Sequence, residues 1–195
     1  MKYYDFIHQQ KKFISPINSC LHLIAQQGKN IVGIELGLFS GDSFACILQA
    51  CTNVKKLYGV DIWKPYSDYV VSGDLNTPDY TNDQKVVEWA EMTCHHRIKW
   101  SGYKDKAVII KDYTDNAVKK FKNNYFDFIF LDAYLSYEHA KNDLKVWYPK
   151  LKKGGLYIGH DYHTHSIQQA VKEYREENNI NNHMSVYDEC FVWRK

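Results

Sequence analysis

Ile34-Glu35-Leu36-Gly37-Leu38-Phe39-Ser40-Gly41-Asp42-Ser43, with Gly59-Val60-Asp61 downstream, is the part of the chain that points to one fold. An apolar run ends in an acid, a glycine turn follows, and a helix starts behind it. A second apolar run then ends in a second acid. In open α/β sheets, such acids and turns at the carboxyl ends of adjacent strands wall a nucleoside pocket. The glycines permit a tight turn and close approach of a ligand to the backbone. The helix behind presents unpaired N–H groups to the same place. The turn lacks the Gly-Lys-Ser/Thr ending of a phosphate loop. It is a poor dinucleotide fingerprint too, because that spacing asks for glycine at 37, 39 and 42 and only Gly37 complies.

Outward from this stretch, apolar runs alternate with helical spacing. Ile31–Leu36, Leu57–Ile62, Ala107–Ile110, Phe126–Leu131 and Leu156–Gly159 read as strands, and His183–Trp193 as one or two more. Ser15–Gln27 carries Ile17, Leu21, Ile24 and Ala25 at helical spacing and is stopped by Gly28. From Asp42, a helix presents Phe44, Ile47, Leu48 and Cys51. Residues 63–80 are a polar, aromatic loop, and Thr81–Gln84 has capping-box spacing before a helix with Val86, Trp89, Ala90 and Thr93 on one side. Thr114–Phe121 is a short helix. Tyr137–Leu151 is a helix ended by Gly154-Gly155, and Ser166–Glu177 a helix opened by a Ser166/Gln169 box. Strands alternating with helices predict an α/β fold with a mostly parallel sheet covered on both faces.

The chain has 195 residues, enough for one domain with a real core. Its net charge of +2 gives no argument for a nucleic-acid partner. Lys119-Lys120 and Lys152-Lys153 read as solvated helix ends. Cys20, Cys46, Cys51, Cys94 and Cys190 are odd in number and contain no C-x-x-C pair, which suits reduced thiols in the cytoplasm. No apolar stretch is long enough to span a membrane, and the start lacks the apolar core of a signal peptide.

The candidate site residues are the strand-end acids. A carboxylate buried at Glu35 needs donors, which a cationic amino-acid moiety would supply. Asp61 can accept both hydroxyls of a ribose. Asp132 and His160-Asp161 end two further strands at the same edge, where two carboxylates could hold Mg²⁺, a substrate or an amino group. His160, His163 and His165 suggest zinc, but they lie on a strand-to-helix loop without a nearby cysteine. A general-base role for one of them is the better reading. His95-His96 reads as surface.

Glu35-Leu36-Gly37 to Gly41-Asp42-Ser43, Val60-Asp61, Phe126-Asp127-Phe128-Ile129-Phe130-Leu131-Asp132-Ala133 with Ser136-Tyr137-Glu138, and Leu151-Lys152-Lys153-Gly154-Gly155 to His160-Asp161-Tyr162 resemble the class I S-adenosylmethionine-dependent methyltransferases. The branch they are most similar to is methyltransferase domain family 24, related to macrocin-type O-methyltransferases. The resemblance spans residues 31–175. It implies a Rossmann-like three-layer sandwich whose seven-stranded sheet has one antiparallel strand near the carboxyl end. The single domain, 1–195, would comprise a helical segment 1–28, a core 31–195, and an acceptor-side loop and helix 63–100. Glu35, Gly37, Phe39, Ser40, Gly41 and Ser43 would cradle the methionine part, Asp61 and Ile62 the ribose, and Asp112 and Tyr113 the adenine. Asp132 would lie near the sulfonium.

The catalytic candidates are Asp132, His160 and Asp161, with Asp132 and Asp161 the ligands of Mg²⁺ in metal-dependent relatives. The family usually has His at the fourth position of D-x-x-H-S-Y-E, and this chain has Leu135. Methyl transfer to oxygen or nitrogen of a small molecule or sugar is the implied activity. Relatives often pair as homodimers. A cofactor-binding domain without turnover and an NAD-dependent dehydrogenase are the competing readings.

Overall fold

Seven short, mostly apolar runs become strands of one sheet, and those towards its middle are buried on both faces. In chain order they are β1 (Ile31–Leu36), β2 (Val54–Asp61), β3 (Ala107–Lys111), β4 (Phe126–Leu131), β5 (Leu151–Gly159), β6 (Met184–Tyr187) and β7 (Cys190–Arg194). The computed structural model describes residues 15–65, 83–134 and 136–195. The expected loop from residue 66 to 80, Thr81-Asn82, the first fourteen residues and Leu135 lie outside them. Spatial order is β3-β2-β1-β4-β5-β7-β6. The pairs β1–β2, β1–β4, β2–β3 and β4–β5 are parallel, while β7 runs antiparallel to both β5 and β6. β7 is thus the one reversed strand of the described sheet.

Helices cover both faces. A 3-10 turn, Pro16–Cys20, leads to α1 (Leu21–Ala25), and with α2 (Asp42–Ala50) and α3 (Gln84–Trp100) it covers one face. α4 (Thr114–Ala117), α5 (Tyr137–Trp147) and α6 (His165–Glu177) cover the other. The strands sort their side chains by alternation. Phe128, Phe130, Leu156 and Ile158 pack under the first layer; Ile129, Leu131 and Tyr157 pack under the second. Among the described residues, no helix is long and apolar enough to cross a membrane.

Several element boundaries differ from expectation for identifiable reasons. α5 stops at Trp147 and passes into a 3-10 turn, Tyr148–Lys150, because Pro149 has no N–H to continue the helical ladder. Gly154-Gly155 is not its stop but lies within β5, where a side chain at 155 would meet the Asp127 carbonyl at 2.8 Å. Lys152 also sits in β5 and pairs with Asp127 at 2.8 Å, rather than solvating a helix end.

α3 is capped by Asp83, whose carboxylate accepts from Lys85 N at 2.8 Å. Its buried side is Val87, Ala90, Cys94 and Ile98, rotated from the expected stripe because Cys94 behaves as a small hydrophobe. α6 begins one residue before Ser166, with Thr164 as its N-cap. The expected helix over Ser15–Gln27 is split, the 3-10 turn taking its first half.

Asp143 on α5 is a buried carboxyl that accepts from the Thr114 hydroxyl, 2.7 Å away. Burial pushes its pKa up to about 7, against a smaller lowering from Thr114. Below about pH 4 folded and unfolded chains both hold this proton; between about pH 4 and 7 only the folded chain does. Stability should therefore fall as pH rises through that window. In urea titrations at a series of pH values, Asp143→Asn is expected to flatten this slope and to be the more stable protein at pH 8, by on the order of a few kcal/mol.

Candidate functional site

Four backbone hydrogen bonds extend the parallel ladder just beyond the strand ends. Asp112 N donates to Asp61 O at 3.1 Å, Gly37 N to Val60 O at 2.9 Å, Asp132 N to Leu36 O at 2.8 Å and His160 N to Leu131 O at 2.9 Å. Asp112, Asp61, Gly37, Asp132 and His160 therefore stand in a row along one sheet edge. The chain winds outward from β1 through β2 and β3 on one side, and from β4 through β5 on the other. The reversal falls between Gly37 and Asp132, where sheets of this kind open a crevice. Gly37 is obligatory there: its φ is +85°, and a Cβ would lie 2.0 Å from the Asp132 carbonyl oxygen.

The turn after β1 is shaped by Asp61. Its Oδ2 accepts from Leu38 N at 2.8 Å and Phe39 N at 2.9 Å, and its Oδ1 accepts from Trp63 N at 2.8 Å. The Trp63 indole then donates back to the Phe39 carbonyl at 2.8 Å. Phe39 (φ 44°) and Trp63 (φ 46°) are both left-handed, a conformation that non-glycine residues hold only when their surroundings impose it. Burial raises the Asp61 pKa, and its backbone donors oppose the rise.

From α3, Arg97 donates to the Ser40 carbonyl and to Asp42, each at 2.7 Å, closing the far side of the turn. Ser40 donates its hydroxyl to Asp42 at 2.6 Å. The sequence did not mark Arg97 or Trp63 as site residues, since Ser40 and Asp42, which Arg97 bonds, and the Phe39 carbonyl, which the Trp63 indole bonds, lie far along the chain. His95 is exposed, as expected, with its ring 5.8 Å from that of Trp63.

Glu35 is completely buried. Its Oε1 accepts from the Ser43 hydroxyl, and its Oε2 has no partner. Burial drives its pKa well above the usual carboxylate range, with Ser43 opposing. An unpartnered buried carboxylate oxygen is costly and calls for a donor.

On the other side of the crevice, His160 is ringed by acids. Its Nδ1 lies 3.1 Å from Asp132 and 3.2 Å from Asp161, and its Nε2 lies 3.4 Å from Glu189. Burial by itself would lower its pKa, but hydrogen bonds to Asp132 and Asp161 and their charges outweigh it and push it up to about 10. His160 is therefore a cation at neutral pH, which disfavours it as a general base. Asp161 is turned inward by a left-handed φ of 57°.

Glu189, in the β6–β7 turn, was invisible to sequence reasoning; it arrives through Tyr162 N, which donates to the Glu189 carbonyl at 2.9 Å. Mg²⁺ takes an all-oxygen shell. Asp132, His160 and Asp161 bring ligand atoms within 4.8 Å of one another, but the imidazole among them departs from that all-oxygen shell.

The remaining candidates are at the β3 end. Tyr113 N donates to Asp112 Oδ1 at 3.0 Å, and Lys120 pairs with Asp112 at 3.2 Å and lowers its pKa. Tyr113 is largely exposed, with Lys64 above its ring at 5.7 Å. Ile62 is half-buried beside Asp61.

A model of the methyltransferase domain family matches residues 34–162. No curated protein matches the sequence. Among solved structures, an O-methyltransferase from Bacillus cereus in complex with SAH has a TM-score of 0.63 at 13% identity, over 94% of this chain and 83% of its own. The O-methyltransferase TomG from Streptomyces achromogenes, in complex with SAM, scores 0.63 at 12% identity over 94% and 81%. The O-methyltransferase NovP scores 0.62 at 17% identity over 91% and 79%. At these identities the likeness is one of fold.

If Asp61 shapes the turn, its loss should be felt without any ligand. Asp61→Ala strands three backbone N–H groups and is expected to lower stability by roughly 2–4 kcal/mol. Amide exchange at Leu38, Phe39 and Trp63 should accelerate in the same variant. Unchanged exchange at all three would show that the carboxylate does not hold the turn.

Proposed function

The chain belongs to the methyltransferase domain family, and we propose that it is an S-adenosylmethionine-dependent methyltransferase acting on an oxygen, or a nitrogen, of a small-molecule or sugar acceptor. The observation that carries the reading is the unpartnered Glu35 Oε2, buried at the strand end beside the glycine turn. A cationic ammonium group satisfies such an oxygen and holds the carboxyl ionised. When bound, S-adenosylmethionine supplies an electrophilic methyl group on a sulfonium.

This chain's residues divide the work. Glu35 takes the ammonium while Ser43 holds its other oxygen. Gly37, Phe39, Ser40 and Gly41 form the turn that wraps the methionine part. Asp61 accepts from the backbone N–H groups of Leu38, Phe39 and Trp63, and a ribose hydroxyl would share that carboxylate, with Ile62 alongside. Asp112 and Tyr113 form the adenine end. Across the crevice, Asp161 takes the proton of the acceptor hydroxyl. His160 bonds to Asp132 and Asp161 and fixes them in direction, and Asp132 borders the point of transfer. Rate enhancement comes chiefly from aligning donor and acceptor. The five free thiols support a reducing, cytoplasmic setting. A cofactor-binding domain without turnover is the second reading, favoured by Leu135 where relatives carry histidine.

Calorimetry with S-adenosylhomocysteine and with NAD separates the cofactor classes. Tight binding of the former and none of the latter is expected; the reverse result makes the chain a dehydrogenase. Glu35→Gln should weaken S-adenosylhomocysteine at least tenfold, about 1.4 kcal/mol. Asp161→Asn should leave that affinity unchanged and lower S-adenosylhomocysteine release, on a panel of phenols, catechols and sugars, by about 10²–10⁴-fold. Cofactor binding with no turnover on the whole panel favours the second reading.

A further inference from the structure

The loop between β5 and α6 and the turn between β6 and β7 converge outside the His160 ion pairs. We propose that Asp161, His163 and Glu189 form a binding site for one divalent transition-metal ion of the Zn²⁺ or Co²⁺ kind. One ligand atom from each residue lies within 4.8 Å of the others, and His163 Nδ1 is 3.6 Å from Glu189 Oε1. The ligands come from two chain segments joined by the backbone bond from Tyr162 N to Glu189 O at 2.9 Å. Their spacing is therefore set by the fold as well as by long side chains.

Charge and chemistry point to the same kind of ion. Asp132, Asp161 and Glu189 meet around the His160 imidazole, and among the described residues no lysine or arginine pairs with any of the three. A dication suits such a carboxylate-rich donor set. A nitrogen donor beside two carboxylates selects an imidazole-accepting transition metal over Mg²⁺. The His163 and Glu189 side chains are each 55% exposed, so an ion enters from solvent and keeps water in its open positions. Asp161, at 17%, anchors its inner side. The bound ion would pin the β6–β7 turn onto the loop that carries Asp161.

The site shares Asp161 with the inner trio and adds His163 and Glu189 to it, and its test does not depend on methyl transfer. The untagged full-length chain is titrated with Co²⁺ while visible d–d absorption is followed, and Zn²⁺ affinity is then read by competition. One equivalent is expected. His163→Ala and Glu189→Gln should each weaken binding at least tenfold, and Asp132→Asn should leave the Co²⁺ spectrum unchanged. Both outer residues are exposed, and circular dichroism confirms that each variant is folded. Absence of Co²⁺ binding overturns the proposal. So does binding that survives both outer substitutions, or that is lost in Asp132→Asn and kept in His163→Ala. Loss of S-adenosylhomocysteine binding has no bearing on it, because the spectrum is read on the free protein.

Discussion

The Asp61 carboxylate gathers the N–H groups of Leu38, Phe39 and Trp63, and the rest of the site depends on that grip. Parallel strands deliver their ends to one edge, but they leave the connecting turns undetermined. An acceptor-only group with about four lone-pair sites can organise several donors at once. Here it bends the segment after β1 back towards β2 and holds two residues left-handed against their own preference. The return hydrogen bond from the Trp63 indole to Phe39, and the Arg97 contacts to Ser40 and Asp42, close the turn from both sides. With the turn held, Ser43 at the start of α2 reaches Glu35, whose second oxygen is left buried without a partner.

The two sides of the crevice handle negative charge differently. At Glu35, burial without a cation drives the carboxyl towards its neutral form, so the site awaits a positively charged group. At Asp132 and Asp161 the fold supplies its own cation, because His160 follows β5 and is ladder-bonded to Leu131. One half of the crevice thus holds a carboxyl with no basic partner, and in the other a histidine shares three carboxylates.

Much of the fold was legible from local pattern. β1 and β4 run over the residues that their apolar runs mark, and the reversed strand lies near the carboxyl end as expected. The boundaries that shifted did so where one residue overrode a periodicity. Pro149 ended α5 early, and Gly154-Gly155 served close packing in β5 instead of a helix stop. On α3 the buried stripe rotated to admit Cys94, which packs where a side chain at Gly41 would otherwise go, 2.8 Å from its sulfur.

The sequence by itself determined which acids end strands. That follows from the length of each apolar run and the polar residue that stops it, both local properties. It therefore marked Glu35, Asp61, Asp132, His160 and Asp161 as neighbours at one edge, and the family to which the chain belongs. Tertiary structure alone decided what each acid does there. Asp61 is largely taken by backbone donors from a turn more than twenty positions earlier. His160 becomes a cation because carboxylates from β4, its own loop and the β6–β7 turn meet around it. Hydrogen-bond partners and charge balance are set by distance in space, and a linear pattern does not carry that distance.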